Sequence, residues 1–282
     1  MTRSRDDPGH ARLHQEELFA KKEFGLLQYR LQNLPGDSRA RLQGLFTQAL
    51  MDETLAVETP LGPLSFVLLG RLAAGRTTHL LTKQPGTIEW INAFRPNSVF
   101  WDVGANIGTF ALYAALRPDM RVVAFEPAAV NYFLLSANCE ANKLDSRMDC
   151  LLVGLGSESA VAQLEVSQFA PAQSFSFRGK PERPYPGRQA ALVLTMDQLI
   201  EDYGLACPNY IKVDVPGLTE AVITGGMRML RRQDVRELHI ESREQSQTGQ
   251  RIAEILQRIG FVAATRSTHG GSADVTYVRP GA

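Results

Sequence analysis

The sequence is poor in cysteine. Its 282 residues include three cysteines, Cys139, Cys150 and Cys207, and no two of them lie at the spacing of a metal-ligand pair. A disulfide framework needs paired cysteines and a zinc module needs closely spaced ones, so neither is expected. We interpret the three cysteines as reduced, buried thiols of a cytoplasmic protein, and we predict no bound metal.

The chain also lacks an excess of charge of either sign. Its 30 Lys and Arg residues balance 30 Asp and Glu residues, which leaves no formal net charge at pH 7. Nucleic-acid-binding surfaces depend on basic side chains that displace counterions. The composition therefore argues against nucleic acid as a partner.

Long apolar runs are absent as well. No run approaches the roughly 20 apolar residues of a membrane-spanning helix, and the first seven residues lack the apolar centre of a signal peptide. Hydrophobic residues make up 44% of the chain, which is ordinary for a globular protein. We therefore predict a cytoplasmic protein with no membrane span, large enough for one core and a smaller appendage.

The most informative stretch is Phe-Trp-Asp-Val-Gly-Ala-Asn-Ile-Gly-Thr-Phe at residues 100–110. Residues 99–103 are apolar and β-rich, which predicts a buried strand, and residues 104–108 form a bend of small residues. An apolar helix over 109–116 and a second strand over 121–125 follow, and Glu126 comes directly after that strand. Strand, glycine loop, helix, strand and acid are the plan of a nucleotide-binding βαβ unit.

The details of the loop favour one class of nucleotide. The loop has one glycine fewer than the G-x-G-x-x-G pattern of dinucleotide-binding proteins. Asp102 lies two residues before Gly104, and its carboxylate would repel a phosphate but suit a cation with an amino group and a sulfonium. These features favour S-adenosylmethionine over NAD.

Several residues are predicted to bind this cofactor. Glu126 is expected to accept hydrogen bonds from both ribose hydroxyls, and Asn106 either adopts the left-handed conformation or binds the carboxylate of the donor. Gly154 follows the third predicted strand, where an adenine can lie against the backbone. The full predicted set is Asp102, Gly104, Ala105, Asn106, Gly108, Thr109, Glu126, Pro127 and Gly154.

An ordered series of motifs resembles the FkbM-type methyltransferase family. The matching runs are Asp-Val-Gly-Ala-Asn-Ile-Gly at 102–108, Phe-Glu-Pro at 125–127 with Asn131 and the run 134–144, Thr-Met-Asp-Gln-Leu at 195–199, Ile-Lys-Val-Asp-Val-Pro-Gly at 211–217 and Leu-His-Ile-Glu at 238–241. The resemblance implies a class I fold, S-adenosylmethionine as methyl donor, and hydroxyl oxygens of sugars or polyketides as the usual acceptors. The chain departs from the family at Pro216 and Thr219, where the family usually has acids.

The predicted elements give an α/β fold. Strands alternate with helices and end in a hairpin, which fits a Rossmann-like, mostly parallel seven-stranded sheet with helices on both faces and an antiparallel last strand. Four acids follow or end predicted strands: Asp102, Glu126, Asp214 and Glu241. Ligands of such sheets bind beyond the carboxyl ends of the strands, so we expect these acids to converge on one site.

The remaining predictions concern the outlying segments. Residues 1–56 are expected to form a helical extension that braces the core, covers the substrate pocket or pairs with a second subunit in a homo-oligomer. Residues 57–282 form the methyltransferase domain, with a lead-in hairpin and helix over 57–95 and a core over 96–282. Predicted elements within the core include added β structure at 160–166 and 174–177, an irregular loop over 178–187, a helix over 196–203, a helix over 218–230 interrupted by Gly225-Gly226, and a helix over 250–259 capped by Thr248.

Methyl transfer to an alcohol requires a base, for which the candidates are Asp214, Glu241 and His239. The resemblance places Asp214 beside the methyl group of the donor. His239 precedes Glu241 by two residues, so both face the same side of a strand, and a core histidine is the alternative interpretation of His239. The predicted function is O-methylation of a small-molecule or glycan acceptor, a sugar or secondary metabolite. N-methylation, a catalytically impaired cofactor-binding protein and an NAD oxidoreductase are the alternatives.

Overall fold

The computed structural model describes residues 8–166, 170–173, 187–242, 247–269 and 272–281. The chain divides into two compact units, Met1–Asp52 and Glu53–Ala282. Within the described ranges, no helix is both long enough and apolar enough to cross a membrane.

The first unit is a pair of helices, α1 (Pro8–Gln32) and α2 (Gly36–Asp52). The break between them contains Pro35, whose ring and missing N–H oppose a continuous helix. The guanidinium of Arg39 on α2 donates to the carbonyl oxygens of Gln32 (3.0 Å) and Leu34 (3.2 Å). Arg39 thereby satisfies carbonyl groups that the end of α1 leaves without helical partners.

The second unit contains all of the strands that the structure describes. In chain order its elements are β1 (Thr54–Val57), β2 (Leu64–Val67), α3 (Arg71–Thr78), α4 (Leu80–Lys83), α5 (Pro85–Asn92), β3 (Ser98–Val103), α6 (Thr109–Ala115), β4 (Met120–Phe125), α7 (Ala129–Ala141), β5 (Met148–Leu151), β6 (Gly154–Leu155), β7 (Ala160–Val166), β8 (Gly187–Leu194), α8 (Met196–Glu201), β9 (Tyr210–Val213), α9 (Thr219–Thr224), β10 (Glu237–Ser242), α10 (Gln247–Arg258), β11 (Val262–His269) and β12 (Ser272–Val278).

Seven of these strands form the predicted sheet, in the order β11-β12-β10-β9-β3-β4-β5. Strand β12 is antiparallel to both of its neighbours, and the other pairs are parallel. The chain order reverses between β3 and β9, because β4 and β5 continue on one side of β3 and β10 continues beyond β9. At such a switch point the loops diverge and leave a crevice outside the carboxyl ends of the strands.

Helices cover both faces of this sheet, as predicted. On β3, Phe100 belongs to a core cluster with α5 and α6, whereas its neighbour Trp101 belongs to a second cluster with α8, α9 and α10. Successive side chains of a strand face opposite sides, so an apolar run such as β3 supplies both cores. Both side chains are fully buried.

An added three-stranded sheet, ordered β6-β8-β7, follows the central βαβ unit. The strand β7 and the β1–β2 hairpin agree with the sequence predictions, but β8 was not predicted. The predicted strand at 174–177 and residues 178–186 of the predicted loop lie outside the described residues.

The helix predicted over 218–230 is broken at the predicted interruption: α9 ends at Thr224, directly before Gly225, and a separate 3-10 turn follows at Met229–Arg231. A Cβ atom on Gly225 would lie 1.9 Å from the carbonyl oxygen of Gly156, so Gly225 permits close contact with the segment after β6. Thr248 does not cap α10, because α10 begins at Gln247 and includes Thr248.

Candidate functional site

A cavity lies beyond the carboxyl ends of β3, β4 and β9, at the switch point of the sheet. Five of the predicted site residues line it: Gly104, Asn106, Glu126, Pro127 and Asp214. The other described residues along its wall are Arg76, Asn131, Leu164, Gln173, Val215, Pro216 and Leu218. The cavity therefore combines the glycine loop with two strand-end acids and with residues from α3 and the added sheet.

The glycine loop is held against its neighbours by backbone contacts. The N–H groups of Gly104 and Ala105 both donate to the carbonyl oxygen of Phe125, each over 3.0 Å. Gly104 has φ 85°, and a Cβ atom there would lie 2.2 Å from the carbonyl oxygen of Asp214. Only glycine allows this approach between the ends of β3 and β9. Asn106 has φ 56°, which is the left-handed conformation predicted as one of its two roles.

Glu126 accepts three hydrogen bonds at the wall of the cavity. Its Oε2 accepts from the Asn106 N–H (2.9 Å), and its Oε1 accepts from the Ala128 N–H (2.9 Å) and the Asn131 amide (3.4 Å). The residue is 5% exposed, and burial raises the pKa of its carboxyl to about 7, although these hydrogen bonds act in the opposite direction. A carboxylate offers about four lone-pair sites, so these three contacts leave capacity for a ligand hydroxyl.

Asp214, the second acid that lines the cavity, belongs to a buried ion-pair group with Lys212 and Asp102. Lys212 Nζ lies 3.3 Å from Asp214 Oδ2 and 3.8 Å from Asp102 Oδ1. The Lys212 and Asp102 side chains are almost completely buried, whereas the Asp214 side chain is 31% exposed towards the cavity. Lys212 is not among the residues predicted from the sequence. The available signal was a lysine two residues before Asp214 in an otherwise apolar strand, where both side chains face the same side.

Burial and neighbouring charges shift the pKa values of this ion-pair group in opposite directions. Burial lowers the pKa of Lys212, but the carboxylates of Asp214, Asp102 and Glu241 outweigh it and leave that pKa above its ordinary value. Burial raises the pKa of Asp102 to about 6, and the ammonium of Lys212 opposes the rise. Burial also acts to raise the pKa of Asp214, yet the charge of Lys212 prevails and keeps it below its usual range. Asp214 is therefore ionised at neutral pH.

The other two predicted catalytic residues lie outside the described lining of the cavity. Glu241 is near enough to Asp214 to lower its pKa, and it accepts from the Gln84 amide over 3.4 Å. His239 is buried against Trp90, with 4.7 Å between ring centroids, and its two ring nitrogens each lie 3.0 Å from a threonine hydroxyl, on Thr87 and Thr276. These contacts favour the core-histidine interpretation of His239.

The remaining predicted cofactor residues also lie outside the described lining. Ala105 is buried, and Thr109 is the first residue of α6. Gly108 precedes α6 with φ 89°, and a Cβ atom there would lie 2.6 Å from the Leu135 side chain. Gly154 pairs with Val193 in the added sheet. Direct contact of Gly108, Gly154 or Asp102 with the donor stays a prediction.

Residues 170–173, which we call the wall segment, bring Gln173 to the wall of the cavity. This segment was not predicted from the sequence. The carbonyl oxygen of Gln173 accepts from the side-chain amides of Asn106 (2.8 Å) and Asn131 (3.0 Å). The N–H of Ala172 donates to Asn131 Oδ1 over 2.8 Å, and its carbonyl oxygen accepts from Arg76 Nε over 2.9 Å. Asn131 thus joins the wall segment to Glu126.

Within the residues that the structure describes, no cluster of three or more His, Cys, Asp or Glu residues has the arrangement of a metal site.

Comparison with known proteins identifies the sequence family. The sequence model described as the methyltransferase FkbM domain matches residues 102–263. The hexuronic acid methyltransferase AglP of Haloferax volcanii is 30% identical over 129 residues, which are 46% of this chain and 50% of AglP. The 31-O-demethyl-FK506 methyltransferase FkbM of Streptomyces tacrolimicus is 48% identical over 56 residues, which are 20% of this chain and 22% of that protein.

A solved structure, the methyltransferase FkbM of Methylobacillus flagellatus, is 16% identical with a TM-score of 0.49, over 66% of this chain and 45% of that one. This chain therefore spans half or less of each of the three proteins compared. The family match, in contrast, covers more than half of the chain, from Asp102 before the glycine loop to Ala263 in β11. The fold is that of class I methyltransferases, the cofactor is S-adenosylmethionine, and the chain belongs to the FkbM methyltransferase family.

Proposed function

We propose that this protein is an O-methyltransferase that methylates a hydroxyl group of a sugar or secondary metabolite. The observation that carries the proposal is the position of Asp214. Its carboxylate is kept ionised by Lys212 at 3.3 Å and lines the cavity that also contains Glu126 and the glycine loop. An acid held in its acceptor form beside the donor site suits an acceptor that brings a hydroxyl proton.

The residues present fit the donor. S-adenosylmethionine, when bound, supplies a methyl group attached to a positively charged sulfur. The unused lone pair of Glu126 Oε2 can accept from a ribose hydroxyl, and Asn106 and Gly104 bring the backbone of the loop to the cavity wall. The carboxylates of Glu126 and Asp214 favour a cationic ligand over a phosphate.

Asp214 is proposed to hold the acceptor and to receive its proton. An ionised carboxylate accepts a hydrogen bond from a hydroxyl and so points the oxygen lone pair away from itself, which restricts the direction of attack. Lys212 lowers the pKa of Asp214 and therefore makes it a weaker base. A weak base is sufficient here. An alcohol oxygen that gains a carbon substituent becomes a far stronger acid than any carboxyl group, so the free energy of proton transfer to Asp214 is favourable.

Pro216 replaces the acid that the family usually has near Asp214, and it lines the cavity. Proline suits a residue that leaves a strand end, since it fixes φ and needs no hydrogen-bond acceptor. We propose that Asp214, assisted by Glu241 nearby, is sufficient for the reaction and that no divalent metal takes part.

The nature of the acceptor is supported by one relative. AglP of Haloferax volcanii is named a hexuronic acid methyltransferase, which favours a sugar acceptor for this chain. N-methylation on the same fold is the second candidate, and a catalytically impaired cofactor-binding protein is the third. The proposed location is the cytoplasm, which is supported by the free thiols of Cys139, Cys150 and Cys207.

The test is methyl transfer to a panel of sugars, hydroxylated metabolites and amines, with products identified by mass spectrometry. We expect methyl ethers as products and a loss of about 10²–10⁴-fold in kcat for Asp214→Asn, the usual scale for removing a general base. Asp149→Asn is the matched control, because Asp149 is an exposed strand aspartate that pairs with Arg121 over 3.8 Å. Full activity of Asp214→Asn would refute the base assignment, and N-methylated products would favour the second candidate.

A further inference from the structure

A closed ring of hydrogen bonds joins the donor side of the cavity to the wall segment. Asn131 Nδ2 donates to Glu126 Oε1 (3.4 Å) and to the carbonyl oxygen of Gln173 (3.0 Å). The same carbonyl oxygen accepts from Asn106 Nδ2 (2.8 Å), and the Asn106 N–H donates to Glu126 Oε2 (2.9 Å). The ring therefore contains the carboxylate that is predicted to bind the ribose and a main-chain group of the wall segment.

Asn131 uses its whole side-chain amide in these contacts. The residue lies on α7 and is 1% exposed, and its Oδ1 accepts from the Ala172 N–H over 2.8 Å. A side-chain amide has two N–H donors and a carbonyl oxygen, and here each of them has a partner. Breaking one of these bonds would leave a buried polar group unsatisfied. Asn131 therefore opposes any shift of the wall segment relative to Glu126.

The strength of the ring depends on the charge of Glu126. Burial raises the pKa of this carboxyl to about 7, whereas its hydrogen bonds and the positive charge of Arg76 on α3 act in the opposite direction. A hydrogen bond to an ionised carboxylate is roughly twice as strong as one between neutral groups. A donor hydroxyl that binds Glu126 stabilises the ionised form, so it also strengthens the bond from Asn131.

We propose that Asn131 is a positioning residue that couples the donor site to the wall segment, so that binding of the donor fixes residues 170–173 and completes the cavity for the acceptor. The coupling is reciprocal, so an acceptor that contacts the fixed wall segment also strengthens the binding of the donor. The inference rests on the proposed function for the role of Glu126 in donor binding. It does not depend on which atom receives the methyl group.

The experiment measures hydrogen–deuterium exchange of the Ala172 N–H by mass spectrometry, with and without saturating S-adenosylhomocysteine. In wild type at about pH 6, where Glu126 is mostly protonated before binding, we expect S-adenosylhomocysteine to slow exchange by about 3–10-fold. At about pH 8 the carboxylate is already mostly ionised, so the slowing should be smaller. No slowing in wild type would overturn the proposal.

Two variants open the ring at different bonds. Asn131→Leu keeps the branched shape without polar atoms, so S-adenosylhomocysteine should no longer slow exchange. Its affinity for S-adenosylhomocysteine should also rise at a higher pH than in wild type, because the ionised Glu126 loses a hydrogen bond. Asn106→Gly suits φ 56° and keeps the N–H bond to Glu126 but loses the bond to Gln173. It should reduce the slowing and leave that pH unchanged.

The control is Asn142→Leu. Asn142 follows α7 and binds the main-chain N–H (2.8 Å) and carbonyl oxygen (2.7 Å) of Ser65, so it holds a chain segment as Asn131 does but outside the ring. This variant should show the slowing of wild type. Loss of the slowing in Asn142→Leu would assign the effect to general loosening of α7 and overturn the proposal.

The remaining outcomes concern the variants of the ring. Slowing in Asn131→Leu equal to that in wild type would overturn the proposal. If Asn131→Leu does not fold, Asn106→Gly decides, and full slowing there would overturn it in the same way. Exchange is measured without an acceptor, so its result is separate from the methyl-transfer test. Coupling through Asn131 without any methylated product would support this inference and refute the proposed O-methylation.

Discussion

The pKa of Glu126 makes the binding of the donor dependent on pH in a predictable direction. Burial raises that pKa to about 7 in the folded protein without ligand. A ribose hydroxyl that donates to the carboxylate stabilises its ionised form, so it lowers this pKa in the complex and binding releases a proton. Affinity should therefore rise as the pH increases through the range around 7.

The size of the effect follows from the ionised fraction. A carboxyl with a pKa of about 7 is ionised to roughly 90% at about pH 8 and roughly 10% at about pH 6. If only the ionised form accepts the ribose hydrogen bond, the Kd for S-adenosylhomocysteine should increase by roughly tenfold from about pH 8 to about pH 6. The free energy of unfolding moves the other way: a raised carboxyl pKa lowers the stability of the fold as the pH rises above the ordinary value of the acid.

The assay is calorimetric titration of S-adenosylhomocysteine at several pH values, in buffers that differ in ionisation enthalpy so that released protons are counted. Glu126→Gln is the decisive comparison, because it keeps one acceptor oxygen and cannot ionise. It should bind more weakly than wild type at high pH, by about 1.5–3 kcal/mol, and should lose the rise between about pH 6 and pH 8. The same pH dependence in wild type and Glu126→Gln would refute the ribose assignment, since another group would then be the source of the proton.

Two further predictions follow from the ion-pair group and the domain division. Lys212→Met should reduce the free energy of unfolding by about 3–5 kcal/mol in urea titrations, because it leaves Asp102 buried without its counter-charge. The control is Lys143→Met, which replaces an exposed lysine. Equal free energies of unfolding for the two variants would contradict this prediction. Limited proteolysis should cut first near Pro35 or near Glu53, the boundary between the two units, rather than just before Val57, which lies in β1, and should leave a fragment that binds S-adenosylhomocysteine. No described side chain of α2 is buried, so if the two helices pair with a second subunit, light scattering should show a smaller assembly after the cut. An unfolded fragment would show that the helices belong to one indivisible core.

The part of the site that could be predicted depends on residues close together in sequence. The left-handed Asn106 and the position of Glu126 after β4 follow from the glycine loop and from the pattern of the βαβ unit, both of which are local. The seven strands and the antiparallel last strand could also be predicted, because the alternation of strands and helices and the terminal hairpin are local patterns. The wall segment at 170–173 could not, because its contacts join Ala172 to Asn131 and Arg76 across 41 and 96 positions.

The burial of individual side chains also could not be predicted from the sequence. A single lysine such as Lys212 is most often exposed, and its neutralisation by two acids appears only when β3 and β9 pair and place Asp102 opposite Lys212. The strand β8 was missed because it begins with the polar residues Gly187, Arg188 and Gln189 after a segment rich in proline and glycine. Gly225 was predicted as an interruption of a helix, but its close approach to the backbone of Gly156 could not be predicted, because that contact joins distant parts of the chain.

The wall segment has a consequence for how acceptor specificity can evolve in this protein. Every hydrogen bond described for Ala172 and Gln173 uses a main-chain N–H or carbonyl group of the segment, and the partners are side chains of Asn106, Asn131 and Arg76. Main-chain groups are common to almost all amino acids, so the anchoring does not prescribe the side chain at position 173. New side chains can therefore appear at the edge of the cavity, and new acceptors can be selected, while the donor site keeps its geometry.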